Sequence, residues 1–207
     1  IRKTAKGNTL VNIQTPSLAA YIPAYKLLTF KKDNVVDIQT ITIDEVPRYN
    51  ELFDLYRTEY QFLESQDTKD IWNSAILKPK NYHDFTDFHL KELVRLRFLK
   101  DDWPANFASF LLNISAEDLF LLANMNSDKD FNEMLKDKNK YKKEWSDAAA
   151  KLEKILKKNE IKKESLNWKG QDLLIDFYRF RSADELALQD VGTERAKEYK
   201  VLSQLFL

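Results

Sequence analysis

The chain has 207 residues, of which 43% are hydrophobic and 13% aromatic, with 33 basic residues, 33 acidic residues and no cysteine. This composition supplies a hydrophobic core and excludes wholesale disorder, and the lack of cysteine excludes disulfides, thiolate metal sites and a cysteine nucleophile. Three glycines are too few for the phosphate cradles of Rossmann or P-loop proteins and for the turns of an all-β fold. We therefore expect a predominantly α-helical protein whose zero net charge gives no global attraction to nucleic acid or membranes.

The first part of the chain carries the only β prediction. Residues 1–24 contain Pro16 and Pro23 and read as an irregular, loosely packed N-terminal arm. Residues 25–30 and 35–43 are β-branched and partly alternating, so they predict a small hairpin. Because a two-stranded hairpin needs further packing to persist, we expect it to lie on the helices.

From residue 44 onward the apolar residues recur with a helical period. Ser, Thr and Asp residues stand at several expected helix starts, where their side chains cap free backbone N–H groups. The predicted caps are Asp67 or Thr68, Asp102, Ser115, Ser127 and Ser182. The predicted helices lie at about 45–64, 68–77, 85–100, 104–112, 116 onward, 171–181, 183–190 and 194–206.

The clearest periodic pattern runs from 128 to about 158 and predicts one unbroken helix about 45 Å long. A returning helix over 160–169, stopped by Gly170, would complete a long helical hairpin. The fold class is then all-α, an irregular multi-helix bundle with this hairpin and one small N-terminal β-hairpin. We expect a single helical domain over 25–207, with a sub-boundary near 124–127. No apolar run approaches the length of a membrane span. The lack of cysteine fits an intracellular setting, so we expect a protein that is cytoplasmic or peripheral to a membrane.

Catalytic and metal chemistry leave little trace. The two histidines, His83 and His89, are six residues apart, which places them on different faces of a helix, whereas helical zinc sites use a spacing of four. The paired carboxylates Asp101-Asp102 and Glu117-Asp118 fall at predicted helix starts, where they complement the helix dipole. The sequence therefore predicts no catalytic residue, metal ligand or cofactor.

Lysine is concentrated in the predicted long helix: residues 129–163 hold twelve lysines and seven acids. The pattern is typical of a solvated helix face with ion pairs one turn apart. An anionic partner is the alternative, with Lys136, Lys140 and Lys143 as contact residues. Nucleic acid is the less favoured anion, because base-specific readers rely on arginine and this stretch has none.

Trp103 stands at a predicted corner between helices, with Lys100 before it and Phe107 after it. An exposed tryptophan beside a phenylalanine anchors a protein partner or inserts at a membrane interface. A side chain folded back on the bundle is the structural alternative, and membrane insertion requires Trp103 to be exposed.

These features favour a non-enzymatic helical interaction module that binds a protein partner. Peripheral attachment to an anionic, phosphoinositide-type membrane through Trp103, Phe107 and the lysines is the second hypothesis. An enzyme with an unrecognised helical active site is the third, and it predicts a deep pocket in which the histidines and acids cluster.

Overall fold

The computed structural model describes residues 2–3, 5–7, 9–66, 71–125, 127 and 129–205. The chain divides into two compact units, residues 1–91 and 92–207. The division lies between residues 91 and 92, and the predicted sub-boundary at 124–127 lies within the second unit. The predicted fold class is confirmed at a coarse level, since the protein is mostly α-helical with a small antiparallel β-hairpin.

The first unit begins with two antiparallel strand pairs. Strand β1 (Arg2–Lys3) pairs with β2 (Thr9–Leu10), and β3 (Ala24–Phe30) pairs with β4 (Val36–Thr42). The second pair confirms the predicted hairpin. The end of the arm is not loosely packed, because residues 21–24 are buried and form part of the core of this unit.

The first helix, α1 (Phe53–Ser65), begins later than the predicted residue 45. Turns precede α1, and Tyr49 stabilises them by donating a hydrogen bond of 2.6 Å to the carbonyl oxygen of Pro79. Of the predicted helix over 68–77, the structure describes residues 71–77, and these form only a 3₁₀ turn, Ser74–Leu77, capped by Asn73. The predicted caps at residues 67 and 68 lie outside the described residues.

The predicted helix over 85–100 is confirmed in extent. It consists of α2 (Tyr82–Leu93), a π-helical turn (Val94–Phe98) and α3 (Leu99–Asp101). Seven further helices are described in the second unit: α4 (Ala105–Asn113), α5 (Ala116–Ala123), α6 (Phe131–Lys136), α7 (Lys142–Lys158), α8 (Gly170–Ala183), α9 (Leu188–Val191) and α10 (Thr193–Leu205).

The unbroken helix predicted over 128–158 is wrong, because residues 137–141 form a turn between α6 and α7. The side chain of Asp137 accepts a hydrogen bond of 3.1 Å from the backbone N–H of Lys140 and stabilises this turn. Asp130, not the predicted Ser127, caps α6 by accepting from the N–H of Glu133. The charged residues of this stretch fit the helical period, and the pattern alone did not show that some of them form a turn.

The predicted helical hairpin is also wrong because residues 159–169, which follow α7, do not form a regular helix. They contain one 3₁₀ turn, Lys163–Ser165, and they bury Leu166 and Trp168. Gly170 begins α8 instead of ending a helix. In the described part of the chain, no helix is both long enough and apolar enough to cross a membrane.

Candidate functional site: an apolar pocket in the second unit

The second unit contains an apolar pocket with a volume of about 440 Å³ between α4, α5, α8 and α10. Its size lies within the range typical of small-molecule sites, roughly 300–1,000 Å³. Six aromatic side chains and six leucine side chains make up almost all of its wall. The lining residues are Trp103, Phe107, Phe110, Leu111, Leu119, Leu122, Phe131, Leu173, Leu174, Phe177, Tyr199, Leu202 and Ser203.

The pocket runs from the surface into the core. Its floor contains fully buried leucines such as Leu122 and Leu174, each 2% exposed. Its rim is formed by Phe107, Phe131 and Phe177, which are 42%, 37% and 45% exposed. A closed dry cavity of this volume would cost about 10 kcal/mol, which is comparable with the whole stability of a domain. The exposed rim allows the space to be filled from solution instead.

Trp103 belongs to this pocket and is held in place by hydrogen bonds. Its indole N–H donates to the hydroxyl of Tyr178 at 2.9 Å, and that hydroxyl donates to Asp102 at 2.7 Å. The Trp103 ring stacks on Phe107, with ring centroids 5.6 Å apart. Burial, together with the bond to Asp102, raises the pKa of Tyr178 above its ordinary value, so the hydroxyl remains a donor at neutral pH.

Asp102 therefore does not have its predicted role. The N-terminal residue before α4 is Pro104, which makes no side-chain cap. Asp102 instead accepts from Tyr178 and lies 3.6 Å from Arg181. The capping prediction is confirmed at α5, where Ser115 accepts from the N–H of Asp118.

A close backbone approach fixes α8 against the end of α4. A Cβ atom at Gly170 would lie 2.0 Å from the carbonyl oxygen of Leu111. The N–H of Gly170 donates to the carbonyl of Ile114 at 2.9 Å, and that of Ala116 donates to the carbonyl of Trp168 at 3.0 Å. Glycine is required because any side chain would separate the two pocket walls.

One buried carboxylate, Asp176, joins α8 to α10 beside the pocket. Asp176, 1% exposed, accepts from Tyr199 at 2.6 Å and pairs with Arg179 at 2.6 Å and Arg195 at 3.8 Å. Burial, and then the bond to Asp176, raises the pKa of Tyr199, so its ring lines the pocket in the neutral state. The polar groups hold the walls while the pocket itself stays apolar.

A second pocket, of about 430 Å³, adjoins the first at α4 and is partly polar. Phe110 lines both pockets, and the neighbouring residues Phe131 and Asn132 line one pocket each. Lys138 and Asp118 form an ion pair of 2.6 Å in the second pocket. The residues that line it are Ser109, Phe110, Asn113, Ile114, Asp118, Asn132, Leu135 and Lys138.

The predicted contact residues are only partly brought together. Trp103 is half-buried and stacked on Phe107, whereas the four lysines are exposed and line neither pocket. Lys140 is paired with Glu133 at 2.5 Å. Among the predicted residues, Trp103 contacts Phe107, Phe177 and Tyr178, and Phe107 also contacts Phe110. Lys140 contacts Glu133 and the Tyr141 ring.

The histidines do not form a site. His83 is mostly buried, and its Nδ1 atom lies 3.6 Å from Asp44, whereas His89 is exposed. Among the described residues, no group of three or more His, Asp or Glu side chains is placed to hold a metal ion.

Several pocket residues were missed by sequence reasoning. Phe131, Phe177 and Leu173 read as ordinary core positions of amphipathic helices. The signal that was available is the concentration of phenylalanine around Trp103, at Phe107 and Phe110. Which helices would face that cluster is a tertiary property that the pattern of one chain does not contain.

Comparison with protein-family models, with curated proteins and with solved structures gives no significant match.

Proposed function

We propose that the second unit is a binding module whose apolar pocket takes up the hydrocarbon part of a ligand. The pocket carries this proposal: a small-molecule site is concave and mostly apolar, with few polar groups at its edge. An engineered apolar cavity of about 150 Å³ binds benzene, so a space of about 440 Å³ accommodates a considerably larger hydrocarbon group.

The binding energy would come from removing apolar surface from water. Each buried methylene contributes about 0.8 kcal/mol, or about a fourfold gain in affinity. The stacked rings of Trp103 and Phe107 add a rigid apolar wall that loses little conformational freedom when a ligand binds.

The test is a titration with straight-chain alcohols from hexanol to tetradecanol, in which calorimetry measures the affinity. We expect affinity to rise about fourfold per methylene and then to level off once the pocket is full. A plateau distinguishes a bounded pocket from nonspecific partition, in which affinity continues to rise with chain length. If none of the alcohols binds, the proposal is wrong.

A matched pair of variants places the binding in the pocket. Ser203 is exposed on α10 at the edge of the pocket, and its hydroxyl donates only to the carbonyl of Lys200 among the described bonds. Ser203→Phe should fill the opening and weaken alcohol binding at least about tenfold. Ser146→Phe adds the same ring to an exposed position of α7 outside the pocket and should leave the affinity unchanged. Equal losses in both variants would contradict binding in the pocket.

A second function, binding of a protein partner, is favoured by the outer face of α1. Leu52, Leu55 and Phe62 recur along this face and are 52%, 64% and 62% exposed. Exposed apolar patches on a helix are typical of protein interaction surfaces. This proposal is independent of the pocket.

A photo-crosslinking amino acid at position 62 tests the protein-binding proposal. The same amino acid at position 57, which lies on another side of α1, is the control. A defined adduct that forms from position 62 and is lost on Leu55→Glu supports the proposal. Equal labelling from positions 57 and 62, or no adduct, contradicts it.

Attachment to an anionic membrane stays a prediction, tested by co-sedimentation with neutral, anionic and phosphoinositide-containing liposomes. Since the Trp103 side chain is already bonded to Tyr178 and stacked on Phe107, insertion would have to break these contacts. Salt-sensitive binding that is lost on Trp103→Ala would support attachment, and equal recovery with neutral and anionic liposomes would contradict it.

A further inference from the structure

The apolar pocket and the polar pocket share one side chain, Phe110, and both are lined by α4, α5 and α6. On this helix, Phe107 and Leu111 line the apolar pocket, while Ser109 and Asn113 line the polar pocket. The first turn of α6 repeats the arrangement, with Phe131 on one side and Asn132 on the other. Both helices thus line the first pocket with apolar side chains only, and they place polar side chains in the second pocket alone.

We infer that the two pockets form one site for a single-chain amphiphile, with the hydrocarbon chain in the apolar pocket and an uncharged polar headgroup beyond Phe110 in the polar pocket. This inference rests on the proposed function of the apolar pocket. It adds the headgroup, and hence the chemical class of the ligand, to that function.

The charges of the polar pocket favour an uncharged headgroup. Lys138 and Asp118 neutralise each other at 2.6 Å, and the ammonium group also lies 4.8 Å from the centre of the Trp145 ring. An anionic headgroup would meet Asp118 as well as Lys138, and a cationic one would meet Lys138 as well as Asp118. Either would lose hydration without a net opposite charge to replace it.

The remaining polar lining suits hydroxyl and amide groups. Asn113, Asn132 and Ser109 carry side chains that both donate and accept hydrogen bonds. The amide of Asn113 donates to the carbonyl of Ser109 at 2.8 Å, which leaves its amide oxygen as an acceptor on the same residue. A headgroup with adjacent hydroxyls, or a hydroxyl and an amide, matches this set.

The test compares three compounds that share a ten-carbon chain and carry an uncharged, an anionic or a cationic headgroup, each kept below its micelle concentration. They are 1-decanoylglycerol, decanoate and decyltrimethylammonium, with 1-decanol as the measure of the hydrocarbon chain alone. We expect 1-decanoylglycerol to bind the wild-type protein at least about tenfold more tightly than either charged compound, by calorimetry at low salt.

Two variants remove one charge each and should reverse this preference in opposite directions. Lys138→Met keeps an apolar stem beside Trp145 and leaves the Asp118 carboxylate alone, so decyltrimethylammonium should gain about tenfold. Asp118→Asn keeps the size of the side chain and leaves Lys138 alone, so decanoate should gain by a similar factor. 1-Decanol should bind all three proteins equally.

The outcomes separate the two proposals. If the four compounds bind with equal affinity, and Lys138→Met and Asp118→Asn change nothing, the headgroup lies in solvent and the inference is wrong, although the apolar pocket still binds. If no compound shows binding that Ser203→Phe weakens, both the inference and the proposed function fail. A charge preference in the wild-type protein would also overturn the uncharged headgroup.

Discussion

Residues 1–91 leave large apolar side chains at the surface, whereas residues 92–207 bury theirs in a core and around a pocket. In the first unit, Phe30 is 77% exposed at the end of the hairpin and Leu55 is 64% exposed on α1. In the second unit, three of the exposed large apolar residues, Phe107, Phe131 and Phe177, form the rim of the pocket. Apolar exposure in the second unit is therefore concentrated at one site.

The two units also differ in how their polar groups are used. In the first unit, the ion pairs of Lys31 with Asp37 and of Arg48 with Glu51 join exposed side chains. The second unit buries Asp176 and Glu198, which are 1% and 2% exposed. Exposed pairs contribute little to stability, whereas a buried carboxylate without its partners is costly. The difference indicates that buried polar bonds fix the walls of the pocket in the second unit.

The largest effect should come from Asp176→Ala. The substitution leaves Arg179 and Tyr199 without their buried acceptor, so we expect the free energy of unfolding to fall by about 3–5 kcal/mol. Urea denaturation, monitored by circular dichroism, measures this free energy of unfolding. Asp147→Ala, at an exposed position of α7, is the control and should change stability by less than about 0.5 kcal/mol. Similar losses in the two variants would contradict the role given to buried polar bonds.

The next effect tests the contact between α4 and α8. Gly170→Ala places a methyl group against the Leu111 carbonyl, and backbone must move to admit it. We expect a loss of about 3 kcal/mol, together with weaker alcohol binding because the pocket walls separate. Gln171→Ala, the exposed neighbouring position, should be nearly neutral in the same urea and binding experiments. A stable Gly170→Ala protein with normal binding would show that this contact does not set the pocket.

Tyr199→Phe should have a smaller effect that depends on pH. Loss of a hydrogen bond to a charged group costs about 1.5–3 kcal/mol. The pKa of Tyr199 is raised in the folded protein, whereas an unfolded tyrosine titrates near 10. Above pH 10 the unfolded state therefore binds fewer protons than the folded state, and stability falls as the pH rises.

The measurement is the free energy of unfolding of the wild type and of Tyr199→Phe between pH 8 and 11. We expect the gap between them to be constant up to about pH 9 and then to narrow, because only the wild type loses the contribution of Tyr199. Lysine titration affects both proteins and cancels in the difference. A gap that stays constant or widens between pH 9 and 11 would mean that the pKa of Tyr199 is not raised.

The sequence predicted the parts of this fold that depend on local pattern. The β3–β4 hairpin, the helix that follows Tyr82, the Ser115 cap and the break at Gly192 are all present. Each is determined by residues a few positions apart. The coarse fold class followed from the same local signals and from the scarcity of glycine.

The parts that failed depend on contacts between distant residues. Gly170 resembled a helix stop, but it begins α8. A glycine stands there because the Leu111 carbonyl approaches too closely for a side chain. Lys138 continued the helical period of the lysine-rich stretch, but it pairs with Asp118 on α5 from a turn. Trp103 and Phe107, which the sequence analysis named together, stack on each other. The pocket around them is made by α8 and α10, whose placement no local pattern records.

The smallest effect on stability should come from the exposed apolar residues of the first unit. Phe62→Ser removes a ring that is 62% exposed on α1, so we expect the free energy of unfolding to change by less than about 0.5 kcal/mol. Phe120→Ser, at a fully buried position of α5, is the contrasting variant and should cost at least about 3 kcal/mol. Urea denaturation of the two variants therefore tests the contrast between the units directly. If Phe62→Ser were as destabilising as Phe120→Ser, the outer face of α1 would be part of a core, and it would no longer be a candidate surface for a protein partner.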